Sequence, residues 1–220
     1  MSQATGSYRR TDDDPVVSIL RSLNRCFSRI YHQVEVHSPC PLPRRGAAIL
    51  VCNHLSALDP ILVQSTTGRL IRWMMAKEYY EQKALKWMLD LVGTIPVDRG
   101  GRDMAATRAA LAALRDGCVL GVFPEGRIEP TRELLPFQPG IGLLAFKSGA
   151  PVYPAYLEGT QRGLNMLEAY LSPNHAHLTF GEPRQFKRSG KNGPGIESAT
   201  AAIQSDVDTL RVKTLSRRTY

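Results

Sequence analysis

Between residues 15 and 31 the apolar positions recur at helical spacing. Stepped at about 100° per residue, Val16, Ile19, Leu20, Leu23, Phe27, Ile30 and Tyr31 fall within an arc of roughly 120°. Arg21, Arg25 and Arg29 fall on the opposite side, and Pro15 follows an Asp cap, as a first helical turn prefers. The spacing predicts an amphipathic basic helix over 15–33. It suits two settings: packed on a core with its arginines in water, or lying in a lipid interface beside anionic headgroups.

Further along, the period changes. Residues 47–52 (AAILVC), 119–123 and 152–157 are continuous apolar runs bounded by Gly, Pro or polar residues, and they read as buried strands. Shorter extended stretches are expected at 34–36, 72–76, 95–97 and 177–180. Helical patterns lie between them: 61–64, 79–91, the Ala/Leu-rich 105–115 closed by Gly117, 141–148 closed by Gly149, and weakly 196–215. Alternating strands and helices predict an α/β fold, a single domain with a largely parallel central sheet flanked by helices, preceded by the N-terminal amphipathic helix. The expected segments are a disordered N-terminus at 1–14, the helix at 15–33, one domain over 34–186, and a basic loop, C-terminal helix and tail over 187–220.

Composition narrows the class. With 220 residues, 43% hydrophobic and 22% charged, the chain can form one ordinary globular core. A net charge of +8 implies attraction to polyanions, whether nucleic acid, anionic lipid or phosphorylated substrates. Few aromatics interleave with the basic residues, which argues against a single-strand nucleic-acid binder. The four cysteines are scattered with no CxxC spacing, so a disulfide framework is not expected and a reducing compartment is. No window reaches the roughly 18 apolar residues of a membrane-spanning helix, so any membrane association is expected to be peripheral.

The segment Asn53-His54-Leu55-Ser56-Ala57-Leu58-Asp59-Pro60 places a histidine just past a buried strand, where α/β folds open a cleft. A carboxylate bonded to one imidazole nitrogen fixes the tautomer and frees the other to take a proton. His54 and Asp59 thus form a candidate general base and its orienting group, although a structural histidine at a helix start fits the same spacing. Arg99, in the GTIPVDRG stretch, has the guanidinium that phosphate recognition favours. Glu125, Gly126 and Arg127 end the third buried strand. Cys52 reads as a small residue closing a strand rather than a nucleophile. A serine hydrolase built on Ser56 and His54 would lack a GxSxG elbow and needs nucleophile and base almost adjacent in sequence. His175 and His177 could be a metal pair, but no third ligand is evident, and two surface histidines on an edge strand are the plainer reading. His32 and His37 show no partner pattern.

Four segments, NHLSALDP, GTIPVDRG, FPEGR and APVYPAYLEGT, occur in the order and spacing of the four blocks of the glycerolipid acyltransferases, of which lysophosphatidic acid acyltransferase is the type. The resemblance runs over about residues 47–159. It implies that His54 is the base, that Asp59 orients it, and that Asn53, Arg99, Glu125, Gly126 and Arg127 bind substrate, Arg99 through the acceptor's phosphate. An acceptor hydroxyl would attack the thioester of acyl-CoA or acyl carrier protein directly, with no acyl-enzyme, metal or other cofactor. The implied partners are that thioester donor, a phosphate-bearing lysolipid and an anionic membrane surface, with no nucleic acid. The implied location is the cytoplasm, peripheral on the cytoplasmic leaflet. The third block departs from the family's usual form, in which Thr or Ser separates FPEG from its arginine; here Arg127 follows Gly126 directly. Another lysolipid acceptor, or a non-catalytic basic membrane-binding homologue, would also fit the pattern.

Overall fold

The computed structural model describes residues 14–101, 103–129, 133–160, 166–186 and 195–217. In chain order its elements are α1 (Pro15–Ile30), β1 (Glu35–Val36), β2 (Ala48–Cys52), α2 (Asp59–Ser65), β3 (Ile71–Ala76), α3 (Lys77–Tyr80), α4 (Lys83–Leu91) and β4 (Ile95–Val97). They continue with α5 (Met104–Arg115), β5 (Val119–Val122), α6 (Gly140–Ser148), β6 (Val152–Glu158), α7 (Met166–Leu171), β7 (His177–Phe180) and α8 (Ile196–Ser216). The strands form one sheet in the order β1-β7-β6-β2-β5-β3-β4. Strands β2 to β6 are mutually parallel, β7 runs antiparallel to β6, and β1 is parallel to β7. The expected α/β fold with a largely parallel sheet is therefore the one observed.

Both faces of the sheet are covered, which is why β2, β5 and β6 are apolar at every or nearly every position. Alternation divides their side chains between two cores. Ile49 and Val51 point with Leu120, Val122 and Tyr156 toward α5, α6 and α8, where Ala110, Ala113, Ile141, Ala145, Ile203 and Val207 pack. Ala48, Leu50 and Cys52 point the other way, with Ile71, Trp73 and Leu178, toward Leu58, Leu62 and Val63. Because β2 to β6 are parallel, their carboxyl ends open on one edge, where α/β sheets place their sites.

Three local results differ from the periodic pattern. The helix expected over 79–91 is two helices, because Gln82 is extended (φ −64°, ψ 115°) and starts α4 anew. Helix α7 is a six-residue element, too short for its period to register in the sequence. Residues 1–13 and 187–194, which hold most of the expected disordered terminus and basic loop, lie outside the described residues.

The third concerns α1, which faces outward. Val16, Ile19, Leu23 and Ile30 are exposed, whereas Val17 and Ser28 are buried. Its polar side grips α2: Asn24 Nδ2 donates to the Ile61 carbonyl (2.8 Å), Arg25 Nε to that of Ser65 (3.3 Å), and Arg21 Nη2 to that of Thr67 (3.4 Å). The last two carbonyls sit at the C-terminal end of α2, which has no basic residue in its own last turn. The α1 guanidiniums supply the positive charge that a helix C-terminus favours. The helix therefore leaves most of its apolar stripe exposed, while Leu20 and Phe27 are half-buried and Arg25 and Arg29 stay exposed.

Candidate active site

Strand β2 ends at Cys52, and the chain then turns through Asn53–Leu58 into α2. Asn53 is buried and fixes the exit of β2 to β6: its Nδ2 donates to the Leu157 carbonyl (2.9 Å) and its Oδ1 accepts from the Leu157 N–H (2.8 Å). Asp59, fully buried, opens α2 and folds back over the loop. Its Oδ2 accepts from the N–H groups of Leu55 (2.6 Å) and Ser56 (2.9 Å) and lies 3.0 Å from His54 Nδ1. Its Oδ1 accepts from the Thr160 hydroxyl (2.8 Å), just past β6. Four partners thus surround this buried carboxylate, so neither oxygen is left without a hydrogen bond. A carboxylate only accepts, so the proton between it and His54 belongs to Nδ1, leaving Nε2 as the acceptor. The His54 side chain is 17% exposed while that of Asp59 is 0% exposed, so the ring alone reaches the surface.

The imidazole is held in plane as well as in tautomer. Phe123 stacks on it (centroids 4.1 Å apart, 14° between planes), and Trp73 stacks on the far face of the same packing unit (4.6 Å from Phe123, 6°). Glu125 is buried behind the loop. Its Oε1 accepts from the His54 N–H (2.9 Å) and its Oε2 from the Leu135 N–H (3.1 Å). Burial pushes this carboxyl above the ordinary range, against the downward pull of those two donors. The His54 carbonyl accepts from the Glu129 N–H (2.8 Å), so residues 125–129 clamp the histidine backbone from both sides.

Gly126 turns the chain at φ +73°, a conformation that excludes most L side chains. Its N–H donates to the Phe123 carbonyl (3.2 Å) and its carbonyl accepts from Arg99 Nη1 (3.2 Å). Arg99 also donates to Glu78 Oε1 across the site edge. Arg127, the next residue, is exposed. The structure therefore gathers His54, Asp59, Arg99, Glu125 and Gly126 at the carboxyl edge, with Asn53 beneath them. Ser56 is buried, and its hydroxyl accepts from the Leu58 N–H (3.3 Å). Burial first, then the carboxylates of Asp59 and Glu125, push the buried Cys52 thiol well above its ordinary range, unlike an activated nucleophile. Thr160, Phe123, Trp73 and Glu78 belong to the site although they received no role from the sequence. Thr160 closes the fourth motif, which was the available signal for it.

The sequence model of the family described as Acyltransferase matches residues 33–158, more than half of the chain. The chain belongs to that family. This acyltransferase is 26% identical over 151 residues to the 1-acyl-sn-glycerol-3-phosphate acyltransferase of Bacillus subtilis, covering 68% of this chain and 73% of that protein. It is 25% identical over 169 residues to the enzyme of the same name from Streptococcus pneumoniae, covering 76% of this chain and 61% of that one. In fold it is similar to the crystal structure of the 1-acyl-sn-glycerophosphate (LPA) acyltransferase PlsC of Thermotoga maritima. That match has a TM-score of 0.74 and 23% identity, and covers 90% of this chain and 79% of that one.

Proposed function

We propose that this acyltransferase moves a fatty acyl group from an acyl thioester, acyl-CoA or acyl carrier protein, to the free hydroxyl of lysophosphatidic acid. The observation that carries this reading is the buried Asp59 carboxylate 3.0 Å from His54 Nδ1 at the mouth of the sheet. His54 Nε2 takes the proton of the acceptor hydroxyl as its oxygen bonds to the thioester carbon. The tetrahedral oxyanion collapses, the carbon–sulfur bond breaks, and the imidazolium returns its proton to the leaving thiolate. The products are the acylated lipid and a free thiol, and no acyl-enzyme forms. Arg99 binds the acceptor phosphate, exchanging its Glu78 partner for it. Asn53 and Glu125 act through the backbone, fixing the strand exit and the His54 N–H, while Gly126 and Arg127 line the acceptor's approach. The reaction takes place on the cytoplasmic leaflet, with α1 lying in the interface.

Transfer of labelled acyl groups to lysophosphatidic acid, in the presence of anionic vesicles, tests this directly. Wild type forms product, and His54→Ala lowers kcat by roughly 10²–10⁴-fold. Undiminished turnover in His54→Ala would sink the base assignment. If wild type uses neither thioester donor with this acceptor, the substrate assignment fails.

A further inference from the structure

A second cluster of functional side chains lies where β1 pairs with β7, and the acyl-transfer chemistry does not use it. Glu35 and His177 are register partners in the parallel pair. His37 and His175 stand two residues from them, just past β1 and just before β7, where the His37 N–H donates to the Leu178 carbonyl (2.9 Å) and the Glu35 N–H to that of Ala176 (2.8 Å). The contacts agree with this placement. Glu35 Oε2 lies 3.6 Å from His177 Nδ1 and 3.9 Å from His175 Nε2, and Glu35 Oε1 lies 3.6 Å from His37 Nδ1. His37 Nε2 is 3.0 Å from His177 Nδ1, with the two rings stacked at 5.2 Å. One ligand atom each from Glu35, His175 and His177 all fall within 4.8 Å of one another.

From this juxtaposition we propose that Glu35, His175 and His177 bind one divalent transition-metal ion of the Zn2+ class, with the His37 ring stacked beside His177. Imidazole and carboxylate donors select zinc and its neighbours over calcium or magnesium. A tetrahedral ion about 2.0–2.1 Å from each ligand needs ligand atoms about 3.4 Å apart, and Glu35 Oε2 stands 3.6 and 3.9 Å from the His177 and His175 nitrogens. His177 is already oriented, since its side chain and that of the stacked His37 are only 10% and 13% exposed. The other two, His175 at 60% and Glu35 at 55%, are open to solvent and offer the entry path.

The ion is a staple. Strand β1 has two residues and is the edge of the sheet, and it follows directly on α1. Coordination across β1 and β7 ties the base of α1 to the sheet. It also stiffens the segment behind Thr160: Gly159 (φ +88°) passes so close to His175 that a Cβ there would lie 2.1 Å from its carbonyl oxygen.

The test uses the purified full chain, stripped with a chelator, free of any affinity tag and titrated with Co2+. One equivalent binds with tetrahedral d–d bands and without a thiolate charge-transfer band, and Zn2+ displaces it. At a 100-fold excess over Kd, Zn2+ raises the thermal midpoint by roughly 5–10 °C. His175→Ala and Glu35→Gln alter exposed side chains that folding does not need, so both variants fold. Each weakens Zn2+ binding by at least ~100-fold, beyond the roughly 10–100-fold that loss of an outer partner costs. No stoichiometric binding, a thiolate signature, or unchanged affinity in His175→Ala would overturn the proposal.

Discussion

Arg99 reaches the site with its guanidinium already shared between the Glu78 carboxylate and the Gly126 carbonyl. The hydrogen bond from Arg99 holds the Glu78 carboxyl below its ordinary range, so the carboxylate is ionised whenever an acceptor arrives. Both side chains are well exposed, 40% for Arg99 and 55% for Glu78, and such a pair adds little to stability. If Arg99 binds the acceptor phosphate as proposed, the consequence is competition: that phosphate meets a negative charge already seated on the guanidinium. Glu78→Gln therefore lowers KM for lysophosphatidic acid by roughly 2- to 5-fold and leaves kcat unchanged. Steady-state kinetics at fixed donor checks it. A rise in KM would show instead that Glu78 aims the guanidinium at the acceptor. Asp59 is the contrasting residue. Its partners are all donors and all within the fold, so nothing needs to be displaced before His54 can act.

At the scale of elements, α1 depends on a histidine that the sequence left without a role. His32, buried just past the helix end, has its Nδ1 3.0 Å from Asn174 Nδ2. Phe27, Tyr31 and Tyr170 surround its ring. Asn174 can only donate through that atom, so Nδ1 accepts and the ring is neutral. Burial holds its pKa below the ordinary 6.5. As pH falls through that ordinary value, the unfolded chain takes up a proton that the folded chain refuses. Stability is therefore lost toward acid, and the His32 contribution is gone once pH passes the depressed folded value. Denaturant unfolding from pH about 7.5 to about 5.5 shows wild type losing stability relative to His32→Asn; equal slopes would refute the assignment. This anchor was not legible in the sequence, because His32 and Asn174 are 142 positions apart. The same holds for Thr160, 101 positions from Asp59, and for Glu35, whose partner His177 lies at the far end of the chain. What could be read was local. His54 and Asp59 sit within one loop, and β2, β5 and β6 announce themselves as apolar runs because helices cover both faces. The period of α1 gave an apolar stripe but not its direction, which is set by carbonyls on α2 that no periodicity encodes.

For the whole molecule, that direction decides which surface the apolar stripe of α1 presents. The outward stripe of Val16, Ile19, Leu23 and Ile30 continues onto α7, where Leu167, Tyr170 and Leu171 are exposed. The two helices are joined by the Phe27–Tyr170 stack (4.7 Å) and by the Tyr31 hydroxyl, which donates to the Leu171 carbonyl (2.5 Å). Among the described residues no helix is long and apolar enough to cross a membrane; an exposed apolar patch of this kind suits docking on a lipid surface. Helix α1 lies on α2, whose first residue is Asp59. A bilayer touching the patch would be one helix away from His54, the proposed base. Replacing Ile19 and Leu23 together with Glu changes only exposed positions, so solution stability stays within about 0.5 kcal/mol per site. Each side chain forfeits about 1.5–3 kcal/mol of burial in the interface, and vesicle affinity falls by ~100-fold or more. Flotation with vesicles measures the affinity, and turnover on a water-soluble short-chain acceptor separates docking from catalysis. Binding should fall while turnover on the soluble acceptor persists. Undiminished flotation would place the membrane contact elsewhere, and loss of both would mean that α1 supports the site itself.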